Sequence, residues 1–135
     1  MSQGISDLAV LITAMEPQLH PGVYVYCVVP HGTDVAALSP VATVAETEGL
    51  TLVLPQERAL LAGLNVVFRA AWITLTVHSD LHAVGLTAAF AGALGRAGIS
   101  CNVVAGAFHD HLFVPVEQAE AAMDALKGLQ NGAAG

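Results

Sequence analysis

Residues 72–116, WITLTVHSDLHAVGLTAAFAGALGRAGISCNVVAGAFHDHLFVPV, set the frame for the rest of the chain. The run WITLTVH is rich in β-branched and aromatic residues and reads as a strand. Ser79 or Asp80 can then cap a helix whose apolar face is Leu81, Val84, Leu86, Phe90, Leu94 and Ala97, and Gly98 stops it. Residues 99–108 read as a second strand, His109-Asp110-His111 as a tight turn and 112–116 as a third strand. A last helix over 117–130 carries its acids early and Lys127 late, as the helix macrodipole favours, and 131–135 reads as a disordered tail.

Toward the N-terminus the signals are shorter. Ser6 is a plausible cap for a helix over 5–15 with Leu8, Leu11, Ile12 and Met15 on one face. Two prolines end it, and VYVYCVV (23–29) reads as a strand buried on both faces. After the turn-rich segment 30–40, VATVAETE and LTLVL flank Gly49 as a hairpin, and Pro55 opens a helix through Leu61. Residues 48–64 and 110–126 overlay without a gap as turn, strand, proline and helix, a weak internal repeat. The expectation is two similar halves, 1–66 and 67–130, the first permuted or interlocked with the second around one core. The last helix is followed by no further strand, so first-half strands or a second chain must cover one sheet edge.

Composition narrows the function. The 135 residues match one compact domain, or two very small ones sharing a core. They are 55% hydrophobic and only 11% charged, a bare surface that calls for cover by another copy, as a homodimer or larger assembly. The net charge is −7 and the only basic residues are Arg58, Arg69, Arg96 and Lys127, which argues against nucleic acid or an anionic membrane as partner. Cys27 and Cys101 sit singly in apolar runs and read as reduced, small hydrophobes. No leader peptide or membrane span is legible, so a cytoplasmic protein is expected.

The second half, residues 68–126, resembles an ACT domain, a small regulatory βαββαβ module of the ferredoxin-like class. The residues that carry the resemblance are WITLTVH, the turn His82-Ala83-Val84-Gly85-Leu86, and Gly98-Ile99-Ser100-Cys101-Asn102 opening the second strand. The family turn usually reads Asp-x-Pro-Gly-Leu; Gly85 and Leu86 match it, while His82 replaces the acid and Val84 the proline. The whole chain is similar to small stand-alone bacterial proteins with an ACT-like second half, and to the regulatory ACT domains of aspartate kinase. The resemblance implies an α+β fold of ferredoxin-like βαββα units, two interlocked halves sharing an antiparallel sheet with helices on one face. It implies a non-catalytic, cofactor-free regulatory protein binding a small molecule, most simply an amino acid, between this turn and the second strand of a neighbouring unit. The contacts carried over are Ser79, Asp80, Val84, Gly85, Leu86, Ile99, Ser100 and Asn102. Physical reasoning agrees, since a helix start presents unpaired N–H groups and partial positive charge to a carboxylate, and glycine permits close approach. The competing reading is that Gly85 only lets helix and sheet pack closely and that Asn102 is a satisfied strand residue.

The two parallel strands of such a unit end at one edge, which gathers His78, Asp80, His82, His109, Asp110 and His111. Three readings follow. Imidazoles and a carboxylate can hold zinc or another divalent ion, giving a metal-dependent enzyme that uses His78, His109 and His111, although no HExxH or cysteine-pair spacing supports it. Alternatively His78 or His111 binds a small ligand. The structural reading makes Asp110 a turn residue and the imidazoles ordinary hydrogen-bonding groups, leaving an interaction module without ligand. Trp72 and Phe90 read as core.

Overall fold

The computed structural model describes residues 7–77, 81–82 and 84–134. In chain order its elements are α1 (Leu8–Ala14), β1 (Pro17–Leu19), β2 (Tyr24–Val29), β3 (Ala42–Glu46), β4 (Gly49–Pro55), α2 (Gln56–Leu61), β5 (Phe68–Leu75), α3 (Leu86–Arg96), β6 (Asn102–Ala105), β7 (Asp110–Pro115) and α4 (Ala119–Ala134). The strands form an antiparallel sheet in the order β3-β4-β2-β5-β7-β6, with β1 lying against β5 beside β2.

The middle strand, β5, belongs to two units. It is the first strand of a βαββα unit with α3, β6, β7 and α4, and it takes the fourth-strand place beside β2, β4 and β3. In return β1 and β2 cover the edge of β5 that the second unit leaves open, so the halves are interlocked and share the sheet. Pairing runs Pro17↔Leu75 to Leu19↔Ile73, then resumes at Tyr24↔Ala70. Five steps from Leu19 to Tyr24 therefore face three from Ile73 to Ala70. The chain jogs outward at His20-Pro21-Gly22, where the His20 amide donates to the Trp72 carbonyl at 2.9 Å.

Alternation along the strands separates the two faces. Ala71, Ile73, Leu75, Leu112 and Val114 are buried with Leu11, Ile12 and Met15 of the first half and Leu86, Phe90, Leu94, Ala122 and Leu126 of the second. Helix α1 packs against both α3 and α4, so a first-half helix completes the second half's helical layer. Val25, Cys27, Val29, Leu52, Leu54 and Ala59 form a smaller cluster on α2. On the other face Val53, Ala70 and Phe113 are buried by Tyr24, Tyr26, Phe68, Trp72 and Val104, with no described helix contributing. The strand at 23–29 is thus two-faced rather than buried on both sides, since Val28 is half exposed.

Four local expectations change. Helix α1 is capped by Asp7, whose Oδ1 accepts from the Val10 amide at 3.0 Å, while Ser6 lies outside the described residues. Helix α3 begins only at Leu86, so Leu81 and Val84 are exposed instead of lying on its apolar face. The last hairpin turns over 106–109, closed by the Gly106 amide on the His109 carbonyl; Asp110 and His111 are strand residues of β7, not turn residues. Helix α4 runs to Ala134 through the segment read as a tail, and Gln130 Nε2 donates to the Thr13 carbonyl at 2.9 Å, tying its end to α1.

Leu11→Ala removes a fully buried side chain from the point where α1 meets the second half. It should cost about 2–5 kcal/mol in urea unfolding with an unchanged slope. A cost below about 1 kcal/mol would mean that α1 is peripheral to the core.

Candidate functional site

At the start of α3 the backbone dictates the residue. Gly85 is the N-cap with φ 100° and ψ −20°, a region that side-chain-bearing residues rarely adopt, and no side chain caps the helix. A Cβ on Gly85 would also stand 3.0 Å from Leu8 Cδ2, so α1 presses on this turn. Both readings of the glycine therefore have a basis: close packing on one side, an open helix start on the other. Val84 is highly exposed beside it, whereas the Leu86 side chain enters the core. Ser79, Asp80 and His78 lie outside the described residues.

The remaining candidates sit at the far end of the same helix. Gly98, at φ 75°, ends α3 with its amide on the Gly95 carbonyl at 3.0 Å, and the Ile99 amide reaches the Leu94 carbonyl at 2.9 Å. The Ile99 side chain is core and Ser100 is exposed. Asn102 opens β6 and donates from Nδ2 to the Phe113 carbonyl at 3.2 Å. Eleven helical residues span roughly 16 Å. Within one chain, then, Val84 and Gly85 are not brought together with Ser100 and Asn102. Strand β6 pairs with β7 alone and forms one edge of the sheet.

The histidine edge divides as well. His109 Nδ1 lies 3.2 Å from the Val77 carbonyl, so the last hairpin does meet the end of β5. His82 is exposed on the preceding turn. Asp110 pairs with Leu75 and Ala105, and burial pushes its carboxyl above the usual range. His111, one residue on, faces the uncovered side of the sheet. Its Nδ1 is 3.1 Å from Trp72 Nε1 and 3.0 Å from Thr74 Oγ1, and Thr74 Oγ1 is 2.7 Å from His20 Nε2. The His20 ring stacks on Trp72 at 3.6 Å between centroids, and Tyr24 meets the indole edge-on. Burial, then the charge of His111, holds His20 below the ordinary imidazole value; burial, then the charge of His109, holds His111 below it against the opposing pull of Asp110. Among the described residues no group of three His, Cys, Asp or Glu side chains is placed to hold a metal ion.

Sequence reading missed His20, Thr74 and the role of Trp72. A signal existed: Tyr24/Tyr26, Trp72/Thr74 and His111/Phe113 alternate with Val25/Cys27, Ile73/Leu75 and Leu112/Val114, which marks an aliphatic face and an aromatic-polar one. His20 itself, in a proline-flanked break, carried none. The cysteines are not reactive centres: Cys27 is buried, and burial pushes the Cys101 thiol up to about 11. No described helix is long and apolar enough to cross a membrane.

The chain belongs to the ACT-domain family. Two family models, each described as an ACT domain, match residues 3–71 and 67–128, and their overlap is the approach to β5 and its first residues. A Vibrio cholerae protein of unknown function, described as a possible transport protein, is 50% identical with a TM-score of 0.83 over 91% of this chain and 95% of that one. The regulatory subunit of aspartate kinase from Thermus flavus shares the fold at 14% identity, with a TM-score of 0.60 over 84% of this chain and 95% of that one. Aspartokinase III of E. coli, in complex with aspartate and ADP, shares it at 15% identity, with a TM-score of 0.63 over 84% of this chain and 32% of that one. No curated protein matches the sequence. ACT domains are typically regulatory, ligand-binding and non-catalytic, which supports a regulatory role for this chain.

Gly85→Ala should lower stability by about 1–2 kcal/mol, because alanine must adopt a positive φ while meeting Leu8. Chemical denaturation measures it, and a neutral result would mean that the turn carries no such constraint.

Proposed function

We propose that this protein is a non-catalytic regulatory ACT-domain protein that binds an amino acid at the start of α3, in a site completed by a second copy. The observation that carries the reading is the uncapped N-terminus of α3 at Gly85, where amide N–H groups and the helix dipole suit an α-carboxylate. The exposed Val84 forms the lip of the site, preceded in sequence by Ser79 and Asp80.

The second copy enters through the edge strand. In the sheet β5 and β6 run the same way on either side of β7, so β6 finishes at the end where β5 hands over to α3. A two-fold antiparallel pairing of β6 with β6 of another copy brings the start of the second β6 to that end. Ser100 and Asn102 of the second copy then face Gly85 of the first, which reunites groups that a single chain separates. The same pairing satisfies an otherwise open strand edge and accounts for the homodimer that the sparse charge suggests. Coupling requires that the ligand favour one state of the assembly, and a site spanning two copies supplies that difference. The unpaired, thiol-form cysteines support a cytoplasmic setting.

Calorimetric titration with the twenty amino acids tests the reading, alongside Val84→Asp. A carboxylate at the exposed lip should weaken binding at least about tenfold through like-charge repulsion while leaving the melting temperature essentially unchanged. Binding unaffected by Val84→Asp would put the ligand elsewhere, and no heat with any amino acid would refute the proposal.

A further inference from the structure

We propose that His20, Trp72, Thr74 and His111 form a proton-sensitive clasp on the uncovered sheet face, holding the first unit to the second across β5 while His111 keeps its Nδ1 bare. The four side chains come from three separate places: the jog between β1 and β2, the shared strand β5, and β7 of the second unit. Thr74 is buried, so its hydroxyl needs its partners inside this group.

Donor and acceptor chemistry fixes the protons. An indole N–H only donates, so at 3.1 Å from Trp72 Nε1 the His111 Nδ1 must accept, and the proton of neutral His111 sits on Nε2. Thr74 has one hydroxyl hydrogen and two imidazole neighbours. If it pointed at His20, the Thr74 oxygen and His111 Nδ1 would face each other at 3.0 Å with no proton between them. It therefore points at His111, and His20 Nε2–H donates to the Thr74 oxygen at 2.7 Å. Each contact then holds one proton: His20 donates to Thr74, while Thr74 and Trp72 share the single lone pair of His111 Nδ1.

The two histidines respond differently to acid. A second proton on His20 goes to Nδ1 and leaves its bond to Thr74 in place; the indole face beneath it favours the cation, while burial and His111 oppose it. A second proton on His111 must go to Nδ1 and confront the Trp72 N–H, so that contact breaks. The other titratable groups acting on His111 are His109, which opposes the charge, and Asp110, which favours it; Val104, opposite on β6, is neutral. Because the folded state resists this proton and the unfolded chain does not, the clasp's contribution is complete above about pH 6.5 and is lost as pH falls through the lower folded value.

Trp72 is the only tryptophan, so its fluorescence and its indole N–H resonance report on the clasp directly. In the wild-type protein, nitrogen-15 NMR at pH 7.5 should find His111 with its proton on Nε2. On acidification the indole resonance should move with a midpoint below about 6.5. The transition should persist in His20→Gln; in His111→Gln only the effect of charging the stacked His20 should remain, and the double variant should show none. His111 protonated on Nδ1 at pH 7.5 would overturn the proposal, as would loss of the transition in His20→Gln. The wild-type tautomer decides the matter even if the variants fold poorly.

Discussion

Both edges of β5 must be paired, and neither half of this chain can supply both partners. Among the described residues the second unit provides β7 but no strand after α4, and the first unit pairs β2, β4 and β3 without a fourth strand of its own beside β2. A buried strand with one edge of unpaired N–H and C=O groups is costly, so each half needs the other. The interlock extends to the helices, where α1 completes the layer over β5 and β7 with Leu11, Ile12 and Met15. Even the last turn of α4 depends on it, through the bond from Gln130 to Thr13.

The shared strand also assigns work to its two faces. Ala71, Ile73 and Leu75 anchor the core, and Trp72 and Thr74 look the other way and collect His20 and His111. The extra residues in the jog between β1 and β2 are what carry His20 over the indole. At the end of β5 the chain passes to Gly85, whose positive φ starts α3 without a side-chain cap. One strand thus places a polar cluster on its open face and leads into the helix start where we propose that a ligand binds.

Much of this architecture was legible because it rests on period and propensity. The strands read at 72–75 and 24–29, the hairpin around Gly49 and the helix stopped by Gly98 follow from β-branched enrichment, apolar spacing and glycine placement. The misses share a cause. Ser79 and Asp80 are as good a cap by composition as Gly85, and only the fold shows which residue has a positive φ. His109-Asp110-His111 has turn-like letters, yet β7 gains pairing with both β5 and β6 by starting at Asp110. Asn131 and Gly132 are poor helix formers, yet α4 continues through them just beyond the point where Gln130 ties it to α1. The carried-over ligand contacts looked contiguous as motifs, but α3 stands between them. A sequence reads as one line, and the distance between the two ends of a helix is invisible in it.

Native-state hydrogen exchange tests the central claim, that the two units are one cooperative structure built on a common strand. Amides of β2, β5 and β7 should share the same highest opening free energy and the same dependence on denaturant, because none can open without exposing the shared core. If the amides of β7 opened at distinctly lower free energy while β2 and β4 stayed protected, the halves would be independent domains in contact.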